Sequence, residues 1–126
     1  MMKLNVRRFD AALPYEAPNH RQVCGLRLQG MEAAGSEKLW VGLSHFLPGG
    51  GAGPDAGQLE KVYVVLEGEI TLRANGEEIT LGPLDSVTIP AQVERELINS
   101  SKSVCSMMVV MPSPATDRNV QVEPRL

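Results

Sequence analysis

Histidine is scarce in this sequence: His20 and His45 are the only two in 126 residues. Cysteine is equally thin, with Cys24 and Cys105 alone and far apart. A zinc site needs about four nitrogen or sulfur ligands converging on one point, and none of the usual short ligand spacings is present. The charge balance is also unremarkable, twelve Lys and Arg against fifteen Asp and Glu for a net charge of -3, with no basic block. Binding to a phosphate backbone or to an anionic membrane surface is therefore not expected. Apolar runs such as Met107 to Met111 are far too short to cross a bilayer, and Met1 to Arg8 is charged with no apolar stretch behind it. These absences lead to the expectation of a soluble cytoplasmic protein whose two thiols stay reduced and buried. The length suits one domain over residues 1–126, its most regular part at about 39–111.

What the chain has instead is turn residues, twelve Gly and nine Pro, between short alternating runs. Residues 22–28 read as an edge strand and 39–46 as a strand ended by Pro48. Pro48 to Gly57 holds five glycines and two prolines and reads as a loop. Strands are expected at 61–66, 69–74, 77–81, 86–89, 93–98 and 104–111. Asn75-Gly76 between the second and third of these marks a hairpin, because both residues tolerate positive φ. Pro112 and Pro114 release a polar tail over 113–126. Seven to nine short strands with turn signals between them predict an all-β sandwich or small barrel.

From Gly49 to Asn99 the chain resembles the cupin family. Gly49 and Gly68 stand at the two ends of the first family motif, and Glu60 to Glu69 reads like the commonest form of its second half. Pro90 and Asn99 fall on the Pro and Asn of the second motif. The resemblance implies a double-sheet jelly-roll barrel. In the family, two His and a Glu of the first motif and a His of the second bind a divalent metal. Here those positions read Asp55, Gly57, Lys61 and Arg95, and two motif glycines are replaced by Leu84 and Gln92. One carboxylate, one missing side chain and two cations do not make an ordinary transition-metal site. No metal and no other cofactor is expected.

Strand alternation places Lys61, Tyr63 and Val65 on one face, and Arg95, Leu97 and Asn99 on one face. Combined with the motif, the polar set facing the cavity is Lys61, Tyr63 and Arg95, with Asp55 at the loop end. Arg95 and Lys61 would receive the anionic group of a small organic acid, Tyr63 would donate a hydrogen bond, and Asp55 would orient one cation. The alternative is an internal ion pair that plugs the cavity. A second alternative is metal-free isomerase, lyase or cyclase chemistry, with Lys61 as base or Schiff-base amine, Tyr63 as acid partner and His45 as a neutral base should it face inward. His20, in a turn-rich region, is expected in solvent. The strand 104–111 is apolar on both faces, so one face should line the barrel and the other be covered by the N-terminal segment or a second subunit, and a homodimer is expected.

Overall fold

The structure is a computed structural model that describes residues 4–113, with Glu32 described by its backbone alone. Nine strands carry it: β1 (Leu13–Tyr15), β2 (His20–Gln29), β3 (Leu39–Ala56), β4 (Lys61–Glu67), β5 (Ile70–Ala74), β6 (Glu77–Leu81), β7 (Ser86–Ile89), β8 (Glu94–Ile98) and β9 (Cys105–Pro112). Their order is β6-β5-β8-β3-β9-β4-β7, with β2 added to β3 and β1 to β2. All pairings are antiparallel. This is the double-sheet jelly-roll barrel that the cupin resemblance implies. Among the described residues no helix is long and apolar enough to cross a membrane. Both cysteines are free; Cys105 is buried as expected, whereas Cys24 is exposed.

The glycine-rich stretch is not the loop its composition predicts. It continues β3, which pairs with β9 through Leu39 to Phe46 and with β8 through Gly51 to Ala56, so that one strand serves both sheets. Turning this corner brings backbones into contact. A Cβ on Gly51 would lie 2.4 Å from the Leu97 carbonyl oxygen, so only glycine lets the two strands close. Asn99 secures the corner. Its Nδ2 donates to the Phe46 and Ser103 carbonyls at 3.0 and 2.8 Å, and its backbone exchanges hydrogen bonds with Gly49 and Gly50.

The hairpin at Asn75-Gly76 is present, with φ of 52° and 73° and Ala74 opposite Glu77. Leu84 and Gln92, which stand where the family pattern has glycine, keep glycine's backbone at φ 68° and 69°. Residues 114–126 of the expected tail lie outside the described residues; Ser113, its first member, is buried and donates its N–H to the Lys38 carbonyl at 3.0 Å.

Alternation holds on β3 and β9. Trp40, Ser44, Phe46, Cys105, Met107, Val109 and Met111 point inward and are buried. Their neighbours Val41, Met108 and Val110 point outward, beside Val62 and Val64, and remain half-buried. The interior is divided by chemistry. Phe46, Ile70, Leu72, Leu97 and Met107 belong to an apolar cluster, while the polar side chains gather near Tyr63 and Arg95.

Candidate functional site

Lys61, Tyr63 and Arg95 all face the barrel interior, with 3%, 0% and 2% of their surface exposed. Tyr63 comes from β4 and Arg95 from β8, which belong to opposite sheets. Arg95 Nε crosses the interior and donates to Tyr63 Oη at 2.7 Å. Arg95 Nη1 is buried and makes no hydrogen bond. A guanidinium cannot shed its proton, so this donor carries charge into the interior unsatisfied. Burial pushes the Tyr63 phenol up; Arg95 pulls it down and Asp55 adds to the rise. The net effect keeps Tyr63 neutral. Because its oxygen already accepts from Arg95, its own hydrogen is left to donate.

Asp55 is half-buried and sits directly across from Arg95 in the β3–β8 ladder. Its Oδ1 accepts from the Ala56 N–H at 2.9 Å. Lys61 Nζ occupies the space beside Gly57: a Cβ there would lie 2.6 Å from the ammonium nitrogen. Two of the four family metal positions are thus filled by one side chain, and a third is a guanidinium. The residues present do not fit a divalent metal, and among the described residues no three His, Cys, Asp or Glu side chains come together as a metal site would need.

His45 is corrected by the structure. It lies on β3 between the inward-facing Ser44 and Phe46, so the pleat turns it outward. There its Nδ1 meets Ser106 Oγ at 2.9 Å and its ring meets Phe9 edge-on at 6.4 Å. It cannot act on anything held in the barrel. Its strand begins with Leu39-Trp40-Val41-Gly42, where apolar residues do not alternate, and Gly42 hides the inner face: a Cβ there would lie 2.2 Å from the Trp40 indole.

The neutral base stands at His20 instead, contrary to the expectation that it is solvated. His20 pairs with Ala52 in the β2–β3 ladder and is half-buried. Its Nδ1 lies 2.7 Å from the Pro18 carbonyl oxygen. A carbonyl only accepts, so Nδ1 carries the hydrogen and Nε2 presents its lone pair. That Nε2 is buried without a hydrogen-bond partner. Burial lowers the His20 pKa from 6.5; the Pro18 contact opposes this, and Arg95 and Arg21 reinforce it.

Beside His20, a pocket of about 260 Å³ is lined by Tyr15, Glu16, Ala17, Gln22, Val23, Gly25 and Ser44. The Tyr15 ring covers Gly25, where a Cβ would come within 3.0 Å of it, and meets Trp40 edge-on at 5.6 Å. The Arg27 guanidinium lies 4.7 Å over the same ring. Tyr15 Oη and Ser44 Oγ face each other without a hydrogen bond of regular geometry, and neither has another partner. Neither residue carries a motif signature. Only the knowledge that β1 and β2 fold over the barrel mouth brings them into the site.

The cupin domain model matches residues 42–111. The chain belongs to the cupin domain family. A protein of Mycobacterium tuberculosis named as a β-D-galactosidase is 39% identical over 114 residues, covering 90% of this chain and 98% of that protein. Among solved structures, a polyketide cyclase from Streptomyces resistomycificus superposes with a TM-score of 0.75 at 23% identity, over 89% of this chain and 80% of that one. An RmlC-like cupin from Shewanella frigidimarina gives 0.72 at 16% identity, over 91% and 95%. At these identities the two structures speak to the fold alone.

Proposed function

We propose that this cupin binds a small organic anion inside its barrel, without a metal, and that Arg95 is the anchor. The observation that carries the reading is the buried Arg95 guanidinium, held by Tyr63 through Nε and left unsatisfied at Nη1. A ligand carboxylate or similar oxyanion would accept from Nη1 and from the Tyr63 hydroxyl, satisfying donors that the fold leaves open. Lys61 adds positive charge on the same inner face, and Asp55 orients the guanidinium from the neighbouring strand.

The test is thermal stabilisation by small mono- and dicarboxylates on the wild type and on Arg95→Gln. Wild type is expected to melt higher as acid is added, and the variant to lose that response. If no acid stabilises the wild type and Arg95→Gln unfolds many degrees lower, Arg95 is a structural plug and the ligand reading fails.

A second reading is favoured by the near full-length relative: hydrolysis of a β-D-galactoside. Glycoside hydrolysis ordinarily needs two carboxyl groups flanking the bond. Asp55 is the one inward candidate at a motif position, and Glu16 stands at the rim of the neighbouring pocket. Release of nitrophenol from a nitrophenyl β-D-galactoside, lost in Asp55→Asn, would favour this reading over binding alone. With His45 facing outward, the isomerase, lyase or cyclase alternative keeps Lys61 as base or Schiff-base amine and Tyr63 as acid partner, without the neutral base that His45 would have added.

A further inference from the structure

The pocket beside His20 holds three polar atoms that the anion reading does not use. His20 Nε2 is buried without a partner, Tyr15 Oη and Ser44 Oγ are buried with no hydrogen bond of regular geometry beyond facing each other, and all three residues line the same 260 Å³. Buried polar groups in folded proteins are nearly always satisfied, so three in one cavity indicate something that satisfies them. Their chemistry differs in a useful way. The His20 nitrogen accepts, Tyr15 donates or accepts, and the Ser44 hydroxyl does both. A purely apolar ligand would leave all three unmet, and a lone anion would be repelled by the lone pair on His20. Hydroxyl groups match the set, since each can donate to His20 and accept from Tyr15 or Ser44.

The pocket adjoins the anion site. His20 pairs with Ala52, the next residue Gly53 donates its N–H to the Asn19 carbonyl at 2.9 Å, and a Cβ on Gly53 would lie 2.8 Å from Arg95 Nη1. Its volume lies just under the roughly 300–1,000 Å³ typical of drug-sized ligands, which suits a single sugar-sized ring. Glu16, exposed at the rim, is a further acceptor and keeps a second ligand carboxylate away from this end.

We infer that the pocket formed by Tyr15, His20 and Ser44 is a hydroxyl-recognition subsite, so that the ligand is a polyhydroxylated cyclic acid. Its carboxylate meets Arg95 and its ring hydroxyls enter the pocket. The inference rests on the Arg95 anchor for the acidic half of the ligand and on the pocket alone for the hydroxylated half.

Three probes separate the halves: D-galacturonate, cyclohexanecarboxylate and D-galactose, titrated calorimetrically against the whole chain. The first two share a carboxylate on a six-membered ring and differ in ring oxygen and hydroxyls. Wild type is expected to bind galacturonate at least tenfold more tightly than cyclohexanecarboxylate. Ser44→Ala and Tyr15→Phe should each shrink that ratio several-fold while cyclohexanecarboxylate binding stays unchanged. Equal or tighter binding of cyclohexanecarboxylate overturns the hydroxyl subsite and leaves the Arg95 anchor standing. Binding of galactose without either acid overturns the polyhydroxylated acid and the anion anchor together, keeping only the hydroxyl subsite. Binding of none of the three overturns both. The wild-type ratio decides even where a variant fails to fold.

Discussion

Lys61 Nζ fills the space that a side chain at Gly57 would need, with only 2.6 Å between the ammonium nitrogen and a Cβ built on that glycine. The two departures from the family metal motif are therefore one event in space. A long cation on β4 reaches toward the strand end of β3 and takes up the space beside Gly57. An imidazole restored at position 57 would displace the tip of Lys61 and still face its positive charge.

The first prediction follows from the charges at these positions. Protein purified without chelator should carry well under one equivalent of manganese, iron, nickel or zinc by elemental analysis. A full equivalent that is lost on Asp55→Ala would overturn it. The expectation rests on the donor set, a carboxylate flanked by an ammonium and a guanidinium, which repels a divalent cation more than it holds one.

A second prediction concerns His20. The folded state holds the His20 pKa below its ordinary 6.5 because burial disfavours the imidazolium. Below pH 6.5 the unfolded chain binds a proton that the folded chain resists, so stability falls as pH drops from that point toward the folded pKa. Above pH 6.5 both states leave the ring neutral and its contribution is complete. Chemical denaturation at pH 7.5 and 5.5 should show a smaller pH dependence in His20→Gln than in wild type. Identical slopes for wild type and His20→Gln would contradict the burial of this ring.

Much of the barrel was legible because strand alternation is a local signal. Lys61, Tyr63 and Val65 point inward as their period of two requires, as do Arg95, Leu97 and Asn99. The corner of β3 was not legible, since glycine marks both a loop and a close backbone crossing. The local sequence does not tell that Gly51 must pass within contact of the Leu97 carbonyl. The same limit hid half of the candidate site. Tyr15, His20 and Ser44 lie on three strands that meet only after β1 and β2 fold back, and nothing within a few residues of each marks the meeting.

A third prediction concerns Leu84. It is 79% exposed and adopts φ 68°, a left-handed conformation that costs a non-glycine residue about 1–2 kcal/mol. Leu84→Gly relieves that strain and loses little burial, while the freer unfolded chain takes back about 0.4–1 kcal/mol. The variant should be more stable by roughly 0.5–1 kcal/mol in urea denaturation. A loss of stability would mean that the Leu84 side chain makes a contact worth more than its backbone strain.

The fourth prediction concerns assembly, and it starts from the outer face of β3, β9 and β4. Val62 lies across from Val110 and Val64 across from Met108, while Leu43 and Val41 meet the same two β9 residues from the other side. The half-buried Val41, Val62, Val64, Met108 and Val110, with the buried Leu43 among them, form one apolar patch on a sheet whose inner face is already filled by the core. We expect a second copy of the chain to cover it, giving a homodimer. Light scattering at tens of micromolar should report about twice the 13.6 kDa of one chain. Val64→Glu places a charge in the middle of the patch, where a dimer would have to desolvate it. It should shift the mass to the monomer while far-ultraviolet circular dichroism stays that of a folded β protein. A wild type that remains at 13.6 kDa contradicts the dimer. So does a Val64→Glu protein that keeps the doubled mass, because the contact would then lie elsewhere on the barrel.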